Sequence, residues 1–205
     1  MNLKKRLKRN KGPIRFLYKE ENVTEIVSQQ IISWLPTTPR EYIIVCIGTD
    51  RSTGDSLGPL TGTFLTELNP KHLTIYGTLH HPVHATNMHE YIDKITKYHR
   101  KPFIIAIDAC LGRASSVGYL IADTGPLLPG AALAKSLPEI GHMHMTGVVN
   151  MSGFMEYSVL QNTRLSIVVD MADKLARILY NVDQQLTYEH SLPAVVLPKL
   201  RESSV

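Results

Sequence analysis

Residues 42–47 (YIIVCI) and 103–107 (FIIAI) are short runs with almost no polar side chain on either face. A strand apolar on one face only can lie against water, but a strand apolar on both must be covered on both sides. That pattern points to buried parallel strands inside an open α/β sheet. The first run breaks at Gly48 into a polar loop that carries Asp55 and reaches Gly58-Pro59, and the second runs straight into Asp108. Ligands of such sheets bind in the crevice at the carboxyl ends of the strands. Asp55 and Asp108 are therefore the candidate catalytic pair.

The segments around these runs supply the rest of the pattern. Residues 22–35 place Val23, Ile26, Val27, Ile31 and Leu35 near helical spacing, closed by Pro36. Pro59 suits the first turn of a helix that ends near residue 68 at Asn69-Pro70. Residues 73–79 read as a strand and 86–98 as a helix, which completes a β-α-β-α-β rhythm. Further strands are predicted at 14–18, 118–122 and 143–149, a short helix at 154–161, and a loop over 123–130. Leu165, Val168, Ala172, Leu175, Leu179 and Val182 mark a long amphipathic helix. The fold class expected is α/β, a mostly parallel twisted sheet with helices on both faces, formed by a single domain over residues 13–188. Residues 1–12 are expected to be a basic flexible tail and 189–205, with Pro193 and Pro198, a surface tail.

At 205 residues and 43% hydrophobic content the chain has enough apolar material for one sizeable core. The six Lys and Arg residues of MNLKKRLKRNKG exceed the whole net charge of +4, so the remainder is close to neutral. A solvated tail is the favoured reading over a nucleic-acid or anionic-surface contact. No apolar stretch approaches the roughly 20 residues that cross a bilayer, and the basic start lacks the apolar segment of a secretory signal. A cytoplasmic location is expected, in which Cys46 and Cys110 behave as small buried hydrophobes, with a disulfide between neighbouring strands as the alternative. The chain has no G-x-S-x-G elbow, no phosphate-binding G-x-x-x-x-G-K-[ST] and no G-x-G-x-x-G after a strand, which weighs against serine-hydrolase and nucleotide chemistry. Cys110 has no general base identifiable from sequence to make it a nucleophile.

Two carboxylates at neighbouring strand ends suit a pair that shares one proton, because like charges that close cannot both ionise cheaply. The competing reading of Asp55 is a cap on the helix that follows. Asp50 and Thr53, in the same loop, are secondary candidates, and Asp50 can equally orient Arg51 or stabilise the turn. Asp123 opens an Asp-Thr-Gly triplet, but in an α/β pattern rather than an all-β one, and a turn role is expected for it. Of the nine histidines, His80, His81 and His84 follow the second strand, while His142 and His144 alternate onto one face of another. A rival constellation holds a divalent metal with Asp55, Asp108 and His142 or His144; without it no cofactor is expected.

The same residues carry a family resemblance. Ile47-Gly48-Thr49, then Thr53-Gly54-Asp55-Ser56-Leu57-Gly58-Pro59 beyond a short gap, resembles the opening IGN…TPDALGP motif of the spore germination endopeptidases. Ala106-Ile107-Asp108-Ala109 is similar to their AIDA motif, and Ile121 to Gly125 followed by Pro129-Gly130 to their ISDTG and PG elements. These matches occur in register over about residues 42–170, which is far more specific than any one of them. The chain also resembles a shorter set, the YyaC-type sporulation proteins, and more distantly the hydrogenase maturation endopeptidases. Thr49 stands where the germination proteases have Asn and Gly54 where they have Pro. The chain is shorter than those enzymes, with no obvious pro-segment. The resemblance implies a phosphorylase/hydrolase-like fold, an endopeptidase with Asp55 and Asp108 as its catalytic carboxylates, and a sporulating cell or spore as its setting. Its partner would be a protein or peptide substrate such as a spore protein, with a homo-oligomer compatible and neither membrane nor nucleic acid expected. The hydrogenase maturation enzymes hold metal with two carboxylates and a histidine, which is what the rival constellation would copy. The other alternative is a non-catalytic sporulation protein that binds a protein or peptide in the same crevice.

Overall fold

The computed structural model describes residues 12–129 and 137–187. The two expected tails lie outside the described residues, apart from Gly12, as does Gly130 at the end of the expected 123–130 loop. The runs apolar on both faces become β2 (Glu41–Cys46), every residue of which is buried, and β4 (Pro102–Gly112). They are joined by β1 (Ile14–Leu17), β3 (Leu73–Tyr76), β5 (Tyr119–Thr124) and β6 (Met143–Met151) in one six-stranded sheet. The order across it is β1-β5-β6-β4-β2-β3. Pairing is parallel from β3 through β2 and β4 to β6, and antiparallel on both sides of β5. The sheet is thus mixed and mostly parallel, as the buried runs require.

Among the described residues five α-helices surround it: α1 (Val23–Trp34), α2 (Leu57–Glu67), α3 (Met88–Tyr98), α4 (Glu156–Gln161) and α5 (Leu165–Gln185). Among the described residues α1, α2 and α5 share one core with Tyr42, Ile44, Ile105, Ile107 and Met145. The other face is narrower, with Met88 and Ile95 of α3 packed on Ile43, Val45 and Ala106. Helices on both faces are therefore present, unevenly divided. The apolar stripe of α5 is buried from Val168 to Val182, each large side chain contributing about 1.5–3 kcal/mol. Asp183, at the end of that stripe, is 1% exposed and accepts the backbone N–H groups of Lys71 (2.9 Å) and His72 (2.7 Å), which fastens α5 to the entry of β3. No helix among the described residues is long and apolar enough to cross a membrane.

Some expectations need correction. β4 does not end at Asp108 but continues to Gly112, because β6 goes on pairing beside it after β2 has stopped. Asp123 lies inside β5 and not in a turn, held there by pairing with His144. The strand expected at 73–79 is shorter, since Gly77 turns away at φ +92 where a Cβ would fall 1.9 Å from the Cys46 carbonyl oxygen. The short helix expected from residue 154 begins only at Glu156, after Met155 in the left-handed region. A Cys46–Cys110 disulfide is not formed, and both thiols are free. Cys46 faces the α1, α2 and α5 core beside Ile107, and strand alternation turns Cys110 to the opposite face.

Candidate active site

The crevice opens where β2 ends. Cys46 pairs with Ile107, the Ile47 N–H donates to the Ile107 carbonyl (2.7 Å), and β4 then runs on without β2 beside it. From β2 the chain passes to α2 on one face, whereas β4 is entered from α3 on the other. This is the arrangement in which open α/β sheets place their ligand sites.

Two glycines shape the loop that carries Asp55. At Gly48 (φ +143) a Cβ would lie 1.9 Å from the Asp55 carbonyl oxygen, and at Gly58 one would lie 2.0 Å from the Ile47 carbonyl oxygen. Only Gly allows the loop to fold back on itself and the start of α2 to rest directly on the end of β2. The Gly48 N–H donates to the Val83 carbonyl, and the Gly54 N–H to the Leu160 carbonyl, each at 2.8 Å. That second bond excludes proline, which has no N–H to offer α4, and a Cβ at position 54 would lie 2.7 Å from Leu160 Cδ2. Thr49 stabilises the turn, its hydroxyl accepting the Arg51 N–H (3.3 Å) and donating to Asp50 (3.4 Å). Asp50 is exposed. Thr53 contributes its carbonyl, which accepts the Ser56 hydroxyl at 2.7 Å. The helix-capping reading of Asp55 does not hold: α2 starts after Ser56 and its N-terminus has no side-chain cap.

Asp55 is half-buried, and burial raises its carboxyl above the ordinary aspartate range. The Ser52 hydroxyl works the other way, close to the carboxylate but short of good hydrogen-bond geometry; it is 2% exposed and has no other partner among the described residues. Asp108 is displaced further, pushed up to about 8. Burial is the main cause, the Ala109 N–H donated to its Oδ1 (2.8 Å) opposes it, and the charge of Asp55 adds to it. The two carboxylates thus feel each other across the notch left by β2. Burial raises the Cys110 thiol, the Thr146 hydroxyl opposes it, and Asp108 and Arg15 act in opposite directions to a lesser extent.

The histidine constellation is not assembled. His142 is exposed, its Nδ1 accepts the Ile104 N–H (3.0 Å), and its ring stacks on Phe103 at 5.0 Å. Ile104 precedes Asp108 by about 13 Å of strand, so His142 belongs to the opposite end of β4. His144 lies between Ala106 and Asp123 in the register, with its Nδ1 bonded to the Gly125 carbonyl oxygen (3.1 Å). Among the described residues no three His, Cys, Asp or Glu side chains converge to hold a metal ion. The residues present do not fit the metal-holding constellation. His80 and His81 are exposed, whereas His84 is half-buried beside Val83, its Nδ1 paired with the Thr86 hydroxyl at 2.9 Å. Sequence reasoning missed Ser52 and Thr146. Ser52 had a signal, its place in the Asp55 loop, but Thr146 is brought beside Asp108 only by the β4–β6 register.

Comparison with known proteins fits this fold. Residues 15–178 match the family described as "Protein of unknown function (DUF1256)". The chain belongs to the DUF1256 family. A relative, "Uncharacterized protein YyaC" of Bacillus subtilis (strain 168), is 56% identical over 145 residues, 71% of each chain. Among solved structures, this DUF1256 chain is similar to the [NiFe] hydrogenase maturation protease HycI from Thermococcus kodakarensis KOD1, with a TM-score of 0.53 and 14% identity. That likeness covers 76% of this chain and 99% of HycI, and at such identity it speaks for the fold alone.

Proposed function

We propose that this chain is an endopeptidase that hydrolyses peptide bonds with Asp55 and Asp108. The observation that carries the reading is the Asp108 carboxyl, driven to about 8 by burial and by the neighbouring charge of Asp55. At neutral pH such a pair holds one proton, and that proton sits on Asp108. Asp55, less displaced, is the base that takes a proton from the attacking water, and Asp108 is the acid that protonates the departing amine. The crevice position, the motif resemblance and the fold shared with HycI support this assignment. The resemblance also makes a spore protein the first substrate to try.

The test is cleavage of spore-extract proteins by the purified full-length chain. Asp108→Asn and Asp55→Asn are each expected to lower cleavage by at least a hundredfold, the double variant being scarcely worse because the two act as a unit. Cleavage unchanged in both single variants would remove the pair from the mechanism, and cleavage abolished by chelator would restore a metal-dependent reading. A second reading, a non-catalytic peptide-binding protein, is favoured by the exposed apolar side chains Met151, Phe154, Met155 and Tyr157 near the crevice end of β6. Partner binding by wild type with no cleavage of any substrate would select it.

A further inference from the structure

We propose that the polypeptide bound in this crevice enters as an extra strand, hydrogen-bonded to the open edge of β4 at Ala109 and Leu111. The inference deepens the endopeptidase reading and rests on it for where the scissile bond lies. In a parallel ladder the N–H and C=O of one residue point to the same side, and successive residues alternate. Ile107 points toward β2, since its carbonyl accepts the Ile47 N–H, and Gly112 points toward β6, since its carbonyl accepts the Ser152 N–H at 2.7 Å. Ala109 and Leu111 therefore point to the side that β2 has vacated. There the Ala109 N–H is taken by Asp108 Oδ1. The Ala109 carbonyl and both backbone groups of Leu111 have no strand beside them, and no bond from another described residue reaches them.

Unpartnered backbone groups on two half-buried residues are a docking template for another chain, and an extended peptide satisfies them in the way it extends any sheet edge. A peptide strand about 4.8 Å from β4 would continue the line of β2. It would donate to the Ala109 carbonyl, accept from the Leu111 N–H and donate to the Leu111 carbonyl. The bond from Ala109 to Asp108 draws that carboxyl toward the same slot, so the peptide backbone passes the catalytic pair directly. The occupant is thus an extended segment of an unfolded polypeptide, free of proline where it pairs. Met151, 55% exposed, pairs with Gly112 from β6, on the other side of β4 from the slot.

The test uses the full-length Asp108→Asn protein, which binds without turnover and keeps an acceptor for the Ala109 N–H. A randomised decapeptide library is selected on it, and the best binder is resynthesised with a single N-methyl group at each position in turn. Strand pairing predicts that methylation at alternate positions weakens binding at least tenfold and at the intervening ones less than threefold. It also predicts that peptide slows hydrogen exchange of the Leu111 amide at least tenfold. Even tolerance of N-methylation, unchanged Leu111 exchange at saturation, or no retained peptide each overturns the proposal. Alternating sensitivity together with a wild type that cleaves nothing supports strand pairing and overturns the endopeptidase reading instead.

Discussion

Asp108 shows how far a site residue departs from what its sequence position implies. Its place directly after the apolar run was legible, although β4 carries on past it to Gly112, but its proton affinity depends on three neighbours the sequence does not place: the surrounding protein, the Ala109 N–H and Asp55. A carboxyl raised in the folded state binds its proton more tightly there than in the unfolded chain. Its contribution to stability is full below the unfolded value of about 4 and is lost as pH rises through about 8. Asp108→Asn, which cannot titrate, is accordingly expected to be less stable relative to wild type at pH 5 than at pH 8.5. The difference is on the order of 3 kcal/mol, allowing for residual solvent access, and urea denaturation at the two pH values measures it. Under the proposed endopeptidase mechanism the same sign applies: cleavage would need protonated Asp108, and its rate, followed against pH, is expected to fall past about 8. Histidines were harder to read, because alternation in a strand states which face a side chain occupies but not which end of the sheet it reaches. His142 sits beside Phe103 and Ile104, away from the crevice.

At the scale of elements, the junction of β2, the Asp55 loop and α2 depends on backbone contact. Helix propensity alone would favour Gly58→Ala by about 1 kcal/mol. The added Cβ, however, would lie 2.0 Å from the Ile47 carbonyl oxygen, a backbone atom of a buried strand end. Overlap of that kind costs more than the propensity gain, so Gly58→Ala is expected to lower stability by about 2–4 kcal/mol. Thermal melting compared with the exposed Thr66→Ala control on the same helix checks this. The helices themselves were legible because apolar residues recur at the spacing of one face, as in α1 and α5. The ends were less so: β4 runs beyond Asp108 because β6 supplies partners for it, and that pairing is long-range.

In the whole molecule, one sheet brings together segments distant in sequence. β1 pairs with β5 across the chain, α5 closes the face that α1 and α2 begin, and Asp183 ties the end of α5 to the start of β3. The tail of residues 1–12, with its basic segment Lys4 to Lys11, is expected to be dispensable for folding, being too polar and too charged to contribute to a core. Deleting it is expected to shift the melting temperature by less than about 2 °C, whereas a change equivalent to 1 kcal/mol moves a domain of this size by about 2–4 °C. A larger drop would mean the tail docks on the body. Periodicity, turn residues and apolar runs determined, without reference to anything distant, most of the segments that are strands and helices, because those properties follow from local geometry and burial. The mixed strand order, the shortness of β2 beside a longer β4, the separation of His142 from the aspartates and the proton held by Asp108 were decided only in the tertiary structure. Each depends on which strand lies beside which, and that choice is made by long-range pairing and by burial shared among the packed elements.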